Sequence, residues 1–396
     1  VQQLLQVEIT PAVWKDASVH HPALPVGVLH LNRIWPQSSD HWGLEYWDEQ
    51  GRAVVGQWVN DEDEFQRVVK GIQHTVGPSA VWALPAQGVL LQLKGADRKL
   101  PGLAALATQA GATLIVHRPE RRAVVRLTTA QGVQYAKVVR PARVTALAET
   151  MRTVHTLAAG HFATPAVLAV DSEQGFVLLS ALPGAALHTL IEGERFVYAA
   201  GKMGATLRAL HALPPSPGTP HHTAAAECQV LERWLTHFSL MLPQQHGLVQ
   251  TLAESVRGAL GASPAHQQEG RANTPVLLHR DFYDKQFFLD DADGCGLLDF
   301  DTLATGEAAL DLANALVHFE LRALQGACTW AQAGNAAQAM LAGYQPAPAT
   351  QQRLSAYADA TRLRLACVYA CRPQGRVWTP HLLARIGAPL CGGVLN

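Results

Sequence analysis

From Val276 to Leu298 the chain alternates short apolar runs with polar loops: Val276-Leu277-Leu278, a loop from His279 to Gln286, Phe287-Phe288-Leu289, a turn from Asp290 to Gly294, then Gly296-Leu297-Leu298. Apolar triplets bounded by turn chemistry predict three short buried strands, the last two joined as a hairpin. Upstream, residues 113–116, 123–127 and 133–139 read as strands of a small antiparallel lobe. In the third, period-two alternation puts Val133, Tyr135 and Lys137 on one face. A helix over 143–159 follows, with Leu147, Met151 and Val154 at helical spacing, and Phe176 to Leu179 reads as an edge strand. Helices are predicted over 198–213, 310–324, 329–344 and 351–371. Nearer the start, residues 43–47 and 53–59 form a hairpin around a turn at 48–51, and a helix runs from Asp61 to about Ile72.

These patterns give an α+β chain in three parts. Residues 1–111 are an amino-terminal α+β appendage of unknown role, and 112–184 a small antiparallel β lobe with a hinge. Residues 185–396 are a larger, mostly helical lobe. At 396 residues the chain can bury a large core. A net charge of -1 provides no basic field for nucleic acid. Apolar residues make up 48% of the chain, yet no run reaches the roughly 18 consecutive apolar residues of a membrane span. The opening residues lack a basic segment followed by an apolar one, so a cytoplasmic location is expected. The six cysteines form no CxxC pair, so reduced thiols and no zinc site are expected.

The chemistry concentrates in the loops around the predicted hairpin. Asp281, Gln286 and Asp299 bring one isolated carboxylate, one amide carbonyl and a second carboxylate to neighbouring loops. Phosphoryl transfer requires this set: a group that orients the attacking hydroxyl, and oxygen ligands that hold magnesium against ATP phosphates. Asp281 suits the first role, and Gln286 and Asp299 the second. Asp290, Asp291 and Asp293 read as a solvated turn, because no bidentate Glu follows at calcium-loop spacing.

The order of strand, His279-Arg280-Asp281, Gln286, hairpin and Asp299-Phe300-Asp301, followed by Asp311-Leu312-Ala313, resembles the aminoglycoside phosphotransferase and choline kinase-like branch of the protein-kinase superfamily. That resemblance implies a two-lobed kinase-like fold and an ATP- and magnesium-dependent kinase acting on a hydroxyl of a small molecule. It implies that Lys137 grips the α and β phosphates and that a helix carboxylate, Glu149, holds the lysine. Ser180 and Leu182 would neighbour the adenine at the hinge, and Asp301 would assist metal binding through water. His279 and Asp311 would support the catalytic loop. Two departures stand out: Gln286 occupies a place where most members have Asn, and the turn from His117 to Arg122 lacks the glycines that cover phosphates in protein kinases. Together with the large appendage, they motivate an alternative, a nucleotide-binding pseudokinase serving as a regulatory or scaffolding module. A homodimer through the amino-terminal segment is a possible assembly. On the acceptor side, the acids Asp284, Glu307 and Glu320 stand beside Arg322, Arg362 and Arg364. That balance argues weakly against a polycationic substrate and leaves a sugar, an amino-alcohol or a nucleoside-like acceptor at least as open.

Overall fold

Inward-facing residues fold the amino-terminal segment into more than the expected hairpin. The computed structural model describes residues 28–192, 195–262 and 274–392; residues 1–27 of the appendage lie outside the described residues. Strands β1 (His30–Pro36), β2 (His41–Trp47) and β3 (Ala53–Val59) are joined by the four-residue strands β4 (Val81–Leu84) and β5 (Val89–Gln92). They form one antiparallel sheet in the order β1-β2-β3-β5-β4. Helix α1 (Glu62–Val76) begins where the Asp61 side chain accepts from the Glu64 backbone N–H at 2.7 Å. Its first turn carries Glu62, Asp63 and Glu64, which suits the positive end of the helix dipole. Phe65, Val68, Val69 and Ile72 form its buried stripe, clustered with Val59, Val81 and Leu90 of the sheet. Trp42 and Trp58 meet in the core with ring centroids 4.9 Å apart and planes tilted by 54°, while Trp47 is exposed.

A second antiparallel sheet follows, made of β6 (Ala112–Arg118), β7 (Arg122–Thr129), β8 (Gly132–Val139), β9 (Val167–Asp171) and β10 (Phe176–Ser180). Its order is β6-β7-β8-β10-β9. The strand expected at the edge, β10, is therefore interior, paired with β8 on one side and β9 on the other. Period-two alternation sends Ala123, Val125, Leu127, Ala136 and Val138 into a core closed by Leu100, Leu103 and Leu106 around the short helix α2 (Leu103–Ala107). Helix α3 (Val144–Ala158) leads away from β8.

The chain divides into two units. One comprises the chain up to Glu149 with Ala166–Ala181 and Cys371–Gln374, and the other comprises Thr150–Pro165, Leu182–Ala370 and the chain from Gly375 onward. Both five-stranded sheets thus belong to the first unit. The second is built from helices α4 (Phe196–Ala212), α5 (Ala224–Met241), α6 (His246–Gly261), α7 (Ala309–Leu324), α8 (Trp330–Tyr344), α9 (Pro348–Ala370) and α10 (Thr379–Ala384). Two three-stranded sheets accompany them. Strands β11 (Ala185–Ala186), β14 (Phe287–Leu289) and β15 (Cys295–Leu297) make one, in the order β11-β14-β15. Strands β12 (His221–His222), β13 (Val276–Leu278) and β16 (Ala304–Gly306) make the other, in the order β12-β16-β13.

Glycine sets the closest helix crossing in this unit. A Cβ at Gly204 of α4 would lie 2.0 Å from the Met340 carbonyl oxygen of α8, and one at Gly343 would lie 2.1 Å from the Gly201 carbonyl oxygen. No larger residue fits either position without parting the two backbones. Among the described residues, no helix is long and apolar enough to cross a membrane.

Candidate active site

In the second unit, β13 delivers the chain into His279-Arg280-Asp281, and a single buried carboxylate fixes that loop. Asp311, in the first turn of α7, accepts the His279 backbone N–H at 2.7 Å and the Arg280 backbone N–H at 2.6 Å. The His211 ring, on α4, meets the same carboxylate at 3.2 Å, and its other nitrogen meets the Tyr344 hydroxyl at 2.8 Å. Asp311 is 0% exposed, so these donors replace the water its charge would otherwise require.

His279 is equally buried, and its two ring nitrogens have distinct partners. Nε2 donates to the Leu298 carbonyl at 2.7 Å, and Nδ1 accepts the Asp281 backbone N–H at 3.3 Å. A carbonyl cannot donate and an amide N–H cannot accept, so the ring is held as the neutral tautomer protonated on Nε2. His279 thus joins the loop carrying Asp281 to the residue just before Asp299. Arg280 takes up a left-handed backbone (φ 67°), unusual for a side chain with a Cβ, and brings the chain round sharply before Asp281. Asp281 itself is half-buried.

The hairpin sets the remaining pair. Pairing of β14 with β15 places Phe287 opposite Leu297, and one step further the Leu298 backbone N–H donates to the Gln286 carbonyl at 3.0 Å. Gln286 thus faces Leu298, the residue before Asp299, although 12 positions separate the two in sequence. Gln286 is 8% exposed, whereas Asp299 and Asp301 are half-buried. Asp299 adopts a left-handed backbone as well, with φ 64°. Burial pushes the Tyr283 phenol above its usual range, and the negative charges of Asp281, Asp284 and Asp299 push it further.

Among the described residues, no group of three or more His, Cys, Asp and Glu side chains could hold a metal ion unaided. An amide oxygen with one or two carboxylates nonetheless fits magnesium, which takes few protein ligands and completes its shell with phosphate and water oxygens. Asp290, Asp291 and Asp293 form a turn: the Asp290 carboxylate accepts the backbone N–H groups of Ala292 and Gly294 at 2.8 and 2.7 Å.

In the first unit, Lys137 sits on β8 opposite Val124 of β7 and Val177 of β10. Its strand neighbours Ala136 and Val138 point into the core, so the lysine lies on the other face, where it is 6% exposed. Glu149 is exposed on α3, and no ion pair joins it to another described residue. The pair expected between Lys137 and Glu149 is not formed, because the register of α3 turns Ala148 inward instead. The Ser180 hydroxyl accepts the Ala166 backbone N–H at 2.9 Å, and the Ser180 N–H donates to the Ala166 carbonyl at 3.0 Å. Leu182, in the second unit, overlies Gly296, where a Cβ would meet its Cδ1 at 3.0 Å.

Several supporting residues escaped the sequence reading. Asn314, one turn after Asp311 on α7, donates to the Phe282 carbonyl at 2.8 Å, and Arg364 donates to Asn314 at 2.6 Å. The Thr302 hydroxyl donates to the His279 carbonyl at 2.9 Å. A polar pair at helical spacing on an otherwise apolar helix was the available signal for Asn314. The acids assigned to the acceptor side are committed elsewhere. Asp284 accepts Arg322 at 2.9 and 3.1 Å, Glu307 accepts Arg353 at 2.7 Å and Tyr357 at 3.0 Å, and Glu320 pairs with Arg362 and Arg385. Because these acids, and Arg322 and Arg362 with them, neutralise each other inside the protein, their count says nothing about the charge of the acceptor.

Comparisons with known proteins identify the family. The model of the phosphotransferase enzyme family (APH) matches residues 112–357. An amicoumacin kinase, solved with AMP-PNP, calcium and amicoumacin, shares the fold at a TM-score of 0.54 and 12% identity, covering 72% of this chain and 91% of that one. An aminoglycoside phosphotransferase of Streptomyces rimosus is 23% identical, with a TM-score of 0.49 over 66% of this chain and 96% of that one. An ethanolamine kinase of Plasmodium vivax is 11% identical, with a TM-score of 0.48 over 72% and 84%. No curated protein matches the chain.

Proposed function

We propose that this chain, which belongs to the phosphotransferase enzyme family and so to its small-molecule kinases, moves the γ-phosphoryl group of ATP onto a hydroxyl of a small polar molecule. The observation that carries the reading is the anchoring of the Asp281 loop by the buried Asp311 carboxylate, with the neutral His279 ring tying that loop to the segment of Asp299. Such a scaffold fixes the catalytic carboxylate before substrates arrive, and orientation supplies much of the acceleration in phosphoryl transfer.

In this reading, Asp281 accepts a hydrogen bond from the acceptor hydroxyl and aims its lone pair at the γ-phosphorus. As the new O–P bond forms, the bond to the bridging oxygen of ADP breaks, and the hydroxyl proton passes to Asp281. Gln286 and Asp299 would hold magnesium, with Asp301 assisting through water, and the bound ion would supply neutralisation of phosphate charge. Lys137 holds the α and β phosphates. Gln286 ends in the same amide oxygen as Asn, so its extra methylene changes reach and not donor type. Ser180 and Leu182 flank the adenine. The acceptor is a sugar, an amino-alcohol or an antibiotic hydroxyl, the classes that include the named substrates of the similar kinases.

The test is ADP release from ATP and magnesium over a panel of hydroxylated metabolites and antibiotics, with mass spectrometry of the acceptor. At least one acceptor should gain a phosphoryl group and stimulate ADP release. Tight, metal-dependent ATP binding with no transfer to any acceptor would instead support a nucleotide-binding module.

A further inference from the structure

The turn between β6 and β7 precedes the strand that carries Lys137, the place where protein kinases set a glycine-rich loop over the phosphates. Here Pro119, Glu120 and Arg121 make that turn with no glycine, and the amino-terminal module grips it from several sides. Glu120 has a left-handed backbone (φ 59°) and is 0% exposed. Its carboxylate accepts Arg98 Nε at 2.5 Å and pairs with the Lys99 ammonium. Its N–H donates to Asp97 at 2.7 Å, and the same Asp97 oxygen meets His117 Nε2 at 2.9 Å. The far end of Arg98 pairs with Glu64 of α1 at 2.8 Å. Arg140 donates to the Glu120 carbonyl at 2.8 Å, and the Pro119 ring lies over Gly43, where a Cβ would meet it at 3.3 Å.

A glycine loop approaches phosphates with bare backbone but must be ordered each time, at an entropic cost. A turn already held in place avoids that cost at binding. Buried carboxylates persist only with such partners, and here the partners of Glu120 come from Arg98 and Lys99, outside the family-matched residues 112–357.

We propose that Asp97, Arg98 and Glu120 are positioning residues that make the amino-terminal module a clamp, holding the β6–β7 turn in the conformation that receives the phosphates of ATP. The proposal rests on the reading of the chain as an ATP-dependent phosphotransferase and gives its appendage a task within that reaction.

The test uses the full chain with Glu120→Gly, Arg98→Ala and Arg98→Lys. Glycine tolerates the left-handed backbone, so the first variant removes the Glu120 side chain without adding strain, and Arg98→Ala removes its partner without loosening the backbone of the turn. Hydrogen exchange of residues 117–122 reads the clamp, and calorimetry with ATP and magnesium reads its consequence. Glu120→Gly and Arg98→Ala should speed exchange there by about tenfold or more, with residues 276–282 unchanged. ATP affinity should fall about tenfold, KM for ATP should rise with it, and kcat should stay within about twofold, with Arg98→Lys recovering part of the loss. Unchanged exchange would overturn the clamp, and fast exchange with undiminished ATP affinity would overturn its link to the nucleotide. Should the unaltered chain bind no ATP, the assigned reaction falls and the nucleotide role of the clamp falls with it. That failure is recognisable because exchange would still separate the variants while none of them binds.

Discussion

Asp311→Asn is the sharpest perturbation of the scaffold beneath Asp281. The substitution keeps the side-chain shape and one carbonyl oxygen but turns the second oxygen into a donor. The carboxylate accepts at 2.7 Å from His279 N–H, at 2.6 Å from Arg280 N–H and at 3.2 Å from His211, so either orientation of the amide sets its NH2 group against a donor. Losing one charge-assisted bond costs about 1.5–3 kcal/mol, and leaving its donor buried without an acceptor adds about 1–3 kcal/mol. A total of roughly 3–5 kcal/mol is a large share of the ~5–15 kcal/mol that typically holds a domain. Because a chain of two units need not melt in one step, the assay is native-state hydrogen exchange of residues 279–281. The local opening equilibrium should rise by about a hundredfold or more, each ~1.4 kcal/mol giving a factor of ten. Transfer should fall in parallel as Asp281 loses its fixed position. An acceleration below about threefold, with turnover retained, would refute the idea that Asp311 holds the loop.

Three further outcomes follow from the same structure. Asp281→Asn should abolish transfer while ATP affinity, read by calorimetry, stays within about twofold. Gly204→Ala should destabilise the second unit by about 1–3 kcal/mol in urea unfolding, since its Cβ would meet the Met340 carbonyl oxygen at 2.0 Å and force α4 from α8. Burial pushes the Glu320 carboxyl up, but hydrogen bonds from Arg362 and Arg385 outweigh it and hold the group below its ordinary value of 4.5. A carboxyl depressed in this way contributes its full stability above pH 4.5 and loses it as acid takes the pH down through the folded value. The urea midpoint should fall on acidification below that point. Glu320→Gln should start roughly 3–5 kcal/mol less stable and show a shallower fall.

The segment from Val276 to Leu298 was legible because its signals are local. Apolar triplets and the Asp290 to Gly294 turn lie within one stretch, and the hairpin they predict is the one formed by β14 and β15, which sets Gln286 against Leu298. Strand order is not local, which is why β10 read as an edge strand although β9 pairs beyond it. The four-residue strands β4 and β5 were missed because so short an apolar run carries no usable periodicity. Helix α5 was missed despite a signal, since Leu231, Leu235 and Phe238 stand at helical spacing on its buried face. Ion pairs were the least legible: Asp284 and Arg322 lie 38 positions apart, and only the fold shows that they cancel. The same holds for the appendage, whose hold on the β6–β7 turn depends on residues brought together by tertiary structure alone.

The most direct measurement is transfer of the γ-phosphoryl group from labelled ATP to an acceptor drawn from the hydroxyl panel, with and without magnesium, for the unaltered chain and for Asp281→Asn. Label should appear on an acceptor hydroxyl only with magnesium present and Asp281 intact, with ATP still bound by the variant. Label transferred equally well by Asp281→Asn, or without any divalent ion, would contradict the account.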